Sequence, residues 1–145
     1  MKAVSGKVGQ TLFDGTIRLK VLEVRDATDS EIADAERTGI LVATDKKAMV
    51  ISVLIHNGLS KNFQEILTYT LADKDEIAFE VGAPNVKPNP LDMLQGAAVK
   101  QHAVFVVDKT FTPVKLIVTC PTCNQAVHFR DFRVAIPSMP SPGAP

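Results

Sequence analysis

The sequence has no tryptophan and a single tyrosine among its 145 residues. Proteins that bind single-stranded nucleic acid stack the bases on aromatic side chains, and this chain has few rings to offer. Lysine plus arginine and aspartate plus glutamate both number 16, and no run of like charge is present. The basic face that captures a phosphate backbone is therefore missing as well. We expect no nucleic-acid partner.

Long apolar runs are also missing. No stretch approaches the roughly 18 apolar residues that cross a bilayer, so we expect no membrane span in this chain. The start, MKAVSGKVGQ, lacks the apolar segment of a signal peptide. Two interpretations remain open: the protein is cytoplasmic, or a signal peptide or lipid anchor has been removed ahead of Met1.

Recognisable catalytic motifs are absent too. The sequence contains neither the G-x-S-x-G of serine hydrolases nor the H-E-x-x-H of zinc proteases. Gly6, Gly9 and Gly15 lie near the start, but no helical pattern follows them to supply a phosphate-binding N-terminus. We therefore predict that the protein is not an enzyme, and we assign no catalytic residue and no cofactor.

Alternating apolar residues dominate the chain instead. Ile17, Leu19 and Val21 share one phase, and the phase changes at Leu22 and Val24, which predicts a strand with a β-bulge. Similar patterns recur, and no strand–helix–strand alternation appears. The sequence predicts an all-β protein, an immunoglobulin-like antiparallel β-sandwich of about seven or eight strands. One domain over residues 1–137 is expected, followed by a disordered, proline-rich tail at 138–145.

A short helix interrupts the strands. Thr28 and Glu31 have the spacing of a capping box, and Gly39 suits a left-handed helix end. These signals predict a helix over about residues 29–37 that forms a lid within a loop. The segment LADKDE, at 71–76, predicts a polar hairpin turn.

The segment from 82 to 97 contains three prolines and two glycines, which predicts a long surface loop. Leu91, Met93 and Leu94 form an apolar cluster within it. Because binding residues are often found on loops, we predict that this cluster contacts a partner; folding back over the end of the sandwich is the alternative.

The motif Cys120-Pro121-Thr122-Cys123 contains both cysteines. Redox enzymes place C-x-x-C at a helix N-terminus that lowers the thiol pKa, and no helical pattern follows Cys123. The sequence favours a disulfide between Cys120 and Cys123 that holds a loop shape, with about 2–3 kcal/mol or less of stabilisation because the closed loop is short. Reduced, inert thiols are the alternative. We predict that Pro121 and Thr122, at the tip, contact a partner.

A metal site is the other alternative for this motif. Zinc requires four ligands in a structural site, and Cys120, Cys123 and His128 offer three. A second cysteine pair is absent. We therefore predict no metal site, with these three residues as the candidates if one exists.

Several segments resemble the telokin-like, immunoglobulin-type domains of unknown function found in bacterial and archaeal secreted proteins and lipoproteins. AMVISVLIHNGLSKNF resembles the family's central strand, which ends in an asparagine and a small turn. LTYTLADKDEIAFEV resembles its leucine-x-aspartate-x-x-glycine segment, but it contains no glycine. The helix and the C-x-x-C motif have no counterpart in the family.

The resemblance implies an extracellular or cell-envelope setting and a removed signal peptide or anchor. It also implies a non-catalytic binding or protein-interaction module with an unknown protein partner. Two alternatives remain: a subunit of a surface filament or capsid, which would form homo-oligomers through its sheet edges, and a metal or redox carrier that uses the C-x-x-C hairpin.

Overall fold

The computed structural model describes residues 3–82, 85–123 and 129–137. Within them the chain forms twelve strands and one helix. No helix in these ranges has the length and apolarity to cross a bilayer. In chain order the elements are β1 (Val4–Lys7), β2 (Thr11–Phe13), β3 (Ile17–Asp26), α1 (Asp29–Arg37), β4 (Lys46–Asn57), β5 (Phe63–Glu65), β6 (Thr68–Ala72), β7 (Ala78–Val81), β8 (Val86–Lys87), β9 (Leu91–Met93), β10 (Ala98–Asp108), β11 (Lys115–Thr119) and β12 (Phe132–Ala135).

The strands form two five-stranded sheets and one separate pair. The first sheet has the order β1-β12-β11-β6-β7, the second has the order β2-β3-β4-β10-β8, and β5 pairs with β9. Strand β1 runs parallel to β12, and the other pairs in the described ranges are antiparallel. The predicted all-β sandwich is confirmed. The strand count exceeds the prediction because short strands such as β8 and β9 lie in segments interpreted as loops.

The core lies between the two sheets and is built by alternating side chains. Along β4, Met49, Ile51, Val53 and Ile55 face inward and are fully buried. Burial of one large apolar side chain contributes about 1.5–3 kcal/mol, so this interior is the main source of stability. The largest fully buried side chains include Tyr69, Phe63, Phe105 and Phe132.

The opposite face of β4 is partly covered as well. Val50 and Ser52 lie on the outward side of this strand, yet both are buried. The helix α1 lies over this face, and its Ala35 lines the same cavity as Val50. Coverage on both sides explains why the strand is apolar almost throughout, as in buried strands generally.

The predicted bulge in β3 is confirmed. The register between β3 and β4 shifts between Val21, opposite Val53, and Glu23, opposite Ser52. The extra residue, Leu22, is absorbed at this point, as in a β-bulge. Val24 consequently returns to the inner face, and Glu23 faces outward.

The predicted helix and its caps are also confirmed. The Thr28 hydroxyl accepts a hydrogen bond from the Glu31 amide, and the Glu31 carboxylate accepts one from the Thr28 amide. Gly39, with a φ of 94°, has the left-handed conformation expected just after a helix. The capping box therefore fixes where α1 begins.

A polar bridge crosses the core between the sheets. The Tyr69 hydroxyl, on β6, donates a short hydrogen bond to Oε1 of Gln101, on β10. The Gln101 Nε2 donates to the Pro88 carbonyl at 2.6 Å, so both ends of this buried amide are satisfied. Burial raises the pKa of Tyr69 far above its ordinary value. The phenol therefore remains a neutral donor.

A second buried amide ties a loop and a strand to the end of β4. The Asn57 Nδ2 donates to the carbonyls of Lys61, Met93 and Leu94 at 2.9, 3.2 and 3.2 Å, and its Oδ1 accepts from the Leu59 amide at 2.9 Å. Asn57 thus holds the chain after β4 and the end of β9 in place.

The proline-rich segment differs from the prediction. Leu91 and Met93, on β9, are buried in the core, so the predicted contact of these two residues with a partner is wrong. The segment also contributes Val86 to the core. Alternation over short strands brings these side chains inward, whereas Leu94 beyond β9 is 66% exposed.

The turn between β6 and β7 places Glu76 at a φ of 65°. The Asp73 carboxylate accepts hydrogen bonds from the amides of Asp75 and Ile77, both at 2.9 Å, which closes the turn. A non-glycine residue in the left-handed region is strained by about 1–2 kcal/mol. Glu76 therefore occupies a position that glycine adopts without strain.

We expect Glu76→Gly to raise the free energy of unfolding by about 0.5–1 kcal/mol. Glycine relieves the left-handed strain, and the lost ion pair with Lys115 is exposed and worth little. Chemical denaturation measures the change. Glu80→Gly, within β7, is the control and should destabilise. Destabilisation by both substitutions would contradict the strain at Glu76.

Candidate functional site

A polar row crosses the outer face of the second sheet. Glu23 lies opposite Ser52, Ser52 lies opposite His102, and His102 lies opposite Lys87. Directly opposed residues in neighbouring strands project to the same face with Cβ atoms about 5 Å apart. Four strands, β3, β4, β10 and β8, therefore place these four side chains side by side.

Hydrogen bonds within the row orient the histidine. The Ser52 hydroxyl donates to Oε1 of Glu23 at 3.3 Å, and Nδ1 of His102 lies 3.1 Å from the Ser52 Oγ. When the single hydroxyl hydrogen points to Glu23, the contact with Ser52 requires a hydrogen on the Nδ1 of His102. In the neutral ring, Nε2 is then a free acceptor. A serine nucleophile would need the reverse arrangement, with its own proton directed at the histidine.

An apolar row lies beside the polar one. Val50, on β4, is opposite Val104, on β10, and Arg25 of β3 is opposite Val50. Together with Ala35 and Ile40, the two valines line a cleft of about 240 Å³ between α1 and the sheet. The cleft therefore has an apolar floor and a polar rim. Its polar lining residues are Glu31, Asp34, Thr38, Asn85, Lys87 and His102.

An ion pair fastens α1 over this cleft. The Arg25 guanidinium donates to both carboxylate oxygens of Glu31, at 2.6 and 2.9 Å, and also contacts Glu23 at 3.3 Å. The hydrogen bond from Arg25, helped by the Thr28 amide, lowers the pKa of Glu31 to about 2. The hydrogen bond to Glu31 raises the pKa of Arg25 above its ordinary value. Both groups remain charged in the ordinary pH range.

The charged side chains that line the cleft differ in whether they have an ion-pair partner. Glu31 is paired with Arg25, and Asp34 is paired with Arg37 within α1. Over the described residues, the Lys87 ammonium has no such carboxylate partner. It is therefore the uncompensated charge at the rim of the cleft.

We expect acid to weaken the attachment of α1 between pH 4.5 and pH 2. A carboxyl group whose pKa is lowered on folding contributes stability above its unfolded value, 4.5, and loses it as the pH falls through about 2. Both side chains are about one-third exposed, so the ion pair contributes about 1 kcal/mol or less. Amide hydrogen exchange of α1 as a function of pH measures the effect.

The matched variants are Glu31→Gln, which removes the charge of the ion pair, and Glu36→Gln, on the exposed side of α1. The first should lose most of the pH dependence between 4.5 and 2, and the second should keep it. Identical pH profiles in the two variants would show that the Arg25 pair does not fasten the helix.

The structure joins Cys120 to Cys123 in the disulfide that the spacing predicts, with Cα atoms 5.4 Å apart. The loop is anchored by Thr122, whose hydroxyl donates to Oε2 of Glu65 at 2.7 Å and accepts from the Ile66 amide at 2.8 Å. Pro121 and Thr122 are both exposed, and the hydroxyl of Thr122 is engaged within the chain. The loop is thus pinned to the segment after β5.

Two of the three predicted metal-site candidates, Cys120 and Cys123, lie within the described residues. Glu65, Cys120 and Cys123 have ligand atoms within 4.8 Å of one another, the single such group within the described ranges. Sulfurs joined in a disulfide offer no thiolate, so this trio is not a zinc site in the structure shown. The third candidate, His128, lies outside the described residues.

The polar row was not predicted from the sequence. The sequence patterns assign no role to His102, Glu23, Ser52 or Lys87. One signal was present: Ser52 is the single polar residue within the apolar run AMVISVLI. The register that aligns it with His102 depends on pairing between segments 50 residues apart.

Solved bacterial structures share the fold at low sequence identity. An uncharacterized β-sandwich protein from Clostridium difficile is 8% identical with a TM-score of 0.56, over 92% of this chain and 94% of that chain. The secreted protein MPT63 from Mycobacterium tuberculosis is 12% identical with a TM-score of 0.52, over 92% and 97%. The yjhA protein from Bacillus subtilis is 15% identical with a TM-score of 0.57, over 91% and 99%.

These similarities show the fold alone. The chain has the β-sandwich architecture of these proteins, and the telokin-like and immunoglobulin-type parts of the resemblance remain predictions. No protein-family model matches the sequence, and no curated protein matches it.

Proposed function

We propose that the chain is a non-catalytic binding module of the cell envelope or extracellular space, and that it binds its ligand in the cleft between α1 and the second sheet. The cleft supports this proposal: it combines an apolar floor with a few convergent polar groups, as small-molecule sites do. The interior of the sandwich supports the non-catalytic part, because its described side chains are mostly apolar and the Tyr69–Gln101 bridge has its hydrogen bonds satisfied within the chain.

The setting outside the cytoplasm is supported by two observations. A disulfide between Cys120 and Cys123 is typical of an oxidising compartment, and MPT63, a secreted protein, has a similar fold. Alkylation with and without prior reduction, read by mass spectrometry on protein taken from its native cells, tests the setting. Two free thiols in that protein would contradict it.

The predicted contacts of the two loops with a protein partner have less support than the cleft. Leu94 and Pro121 are exposed and could meet another protein, but Leu91 and Met93 are buried and Thr122 is engaged within the chain. The filament or capsid subunit stays a prediction, and light scattering as a function of concentration would detect its homo-oligomers.

Ligand binding in the cleft can be measured by two-dimensional NMR with a library of small metabolites. We expect amide shifts clustered at Val50, His102 and Val104. Val104→Phe, which fills the floor, should abolish them, whereas Val106→Phe, on the same face of β10 but outside the lining of the cleft, should leave them intact. Shifts that persist in Val104→Phe would exclude the cleft.

A further inference from the structure

We infer that the ligand is a small carboxylate that has an apolar side chain and a hydrogen-bond donor on the carbon next to the carboxylate, such as a 2-hydroxy acid or an apolar amino acid. This inference rests on the proposed function, since it names the ligand of the same cleft. It follows from three features of the lining: one uncompensated cation, one oriented acceptor and an apolar floor.

The cation is Lys87. Its neighbours in the cleft that have a negative charge are already paired, Glu31 with Arg25 and Asp34 with Arg37. An ammonium group without a carboxylate partner at the rim of a cleft attracts an anion, and the anion of a small metabolite is most simply a carboxylate. Lys87 therefore binds the carboxylate.

The acceptor is the Nε2 of His102. With the Ser52 hydrogen directed to Glu23, the Nδ1 of His102 holds the ring hydrogen, and the Nε2 that remains is an acceptor. A bare carboxylate has no hydrogen to give it. A ligand that satisfies both neighbours needs a donor close to its carboxylate, because Lys87 and His102 are directly opposite on adjacent strands.

The floor selects the rest of the ligand. Val50, Val104, Ala35 and Ile40 present aliphatic surface, which favours an aliphatic side chain. The cleft has about 240 Å³, below the range of about 300–1,000 Å³ typical of drug-sized ligands. The ligand is correspondingly small, comparable to leucine or its 2-hydroxy analogue.

The test is an NMR titration of the intact chain with four related probes. Leucine and 2-hydroxy-4-methylpentanoate contain the carboxylate, the donor and the side chain. 4-Methylpentanoate lacks the donor, and 3-methylbutylamine lacks the carboxylate. We expect at least one of the first two to bind at the cleft, with a Kd at least tenfold lower than that of the third, and no saturable shift with the fourth.

Matched variants assign the two contacts. Lys87→Met should weaken binding of the full probe at least tenfold, and Lys100→Met, at an exposed lysine on the neighbouring strand β10, should not. His102→Leu should remove the preference for the probe with a donor, so that the full probe and 4-methylpentanoate bind equally. Both replaced side chains are exposed, so the variants should fold, and thermal unfolding verifies this.

Each result is decisive. Equal binding of 4-methylpentanoate to the unaltered protein, or no effect of Lys87→Met, would overturn this inference. Binding of other library compounds in the cleft without any of the four probes would overturn it too, but would leave the proposed function standing. A cleft that binds no compound of the library would refute both.

Discussion

Replacement of Asn57 by aspartate should lower the free energy of unfolding by more than about 3 kcal/mol. The Asn57 Nδ2 donates to three backbone carbonyls, those of Lys61, Met93 and Leu94. Aspartate puts an oxygen in this position, so one oxygen of a buried carboxylate faces carbonyl oxygens, and only the other keeps a donor, the Leu59 amide. An unsatisfied buried group costs about 1–3 kcal/mol, and more when it is charged.

Asn62→Asp is the matched control for this substitution. Asn62 is exposed in the loop between β4 and β5. The same chemical change there should alter stability by no more than about 0.5 kcal/mol. Denaturant unfolding of the two variants gives the comparison. A difference between them below about 1 kcal/mol would mean that Asn57 does not hold the loop and β9 together.

Replacement of Gln101 by glutamate should make stability strongly dependent on pH. In its protonated form, glutamic acid can accept from Tyr69 and donate to the Pro88 carbonyl, as the amide does. The ionised form loses that donor and places a charge at a fully buried position. Burial raises the pKa of such a carboxyl group above its unfolded value of about 4.3.

The direction of the pH dependence of stability follows from the number of protons bound in the folded and unfolded states. With a raised pKa the folded state holds its proton to higher pH than the unfolded state, so stability falls as the pH rises above about 4.3. A shift of about 3 units corresponds to about 4 kcal/mol lost above the folded pKa. We expect near wild-type stability at pH 4 and a large loss at pH 8, measured by denaturant unfolding.

Gln95→Glu, at an exposed position, provides the control and should show the pH dependence of the unaltered protein. Parallel profiles for the two variants would indicate that water reaches Gln101, and that the bridge between the sheets is not dry.

Local signals in the sequence were sufficient for the elements that depend on local chemistry. The capping box of Thr28 and Glu31 predicts the start of α1, and the phase change at Leu22 predicts the bulge in β3. Both signals lie within a few residues of one another in the sequence, although the bulge itself forms through pairing with β4. For the same reason, the disulfide could be predicted from the spacing of Cys120 and Cys123.

The proline-rich segment could not be assigned in this way. Proline is excluded from the central strands of a sheet but is tolerated in edge strands, and β8 is an edge strand of the second sheet. Whether Leu91 and Met93 face the core or the solvent depends on the pairing of β9 with β5, whose residues are distant in the chain. Composition alone therefore suggested a surface loop where the chain contributes to the core.

The cleft depends on long-range register even more strongly. Glu23, Ser52, His102 and Lys87 come from four strands, and only the pairing of those strands aligns them. Neither the contact of His102 with Ser52 nor the ion pair of Glu31 with Arg25 can be inferred before the sheet is assembled.

The bulge at Leu22 has a consequence for how this sheet tolerates changes of length. An ordinary strand that loses one residue sends every later side chain to the wrong face. In β3, Leu22 is the extra residue of the bulge: Val21 lies opposite Val53 and Glu23 lies opposite Ser52, the next residue along β4. A chain that lacks residue 22 would therefore still direct Glu23 and Arg25 toward α1, so that a single-residue deletion here is compatible with both the sandwich and its cleft.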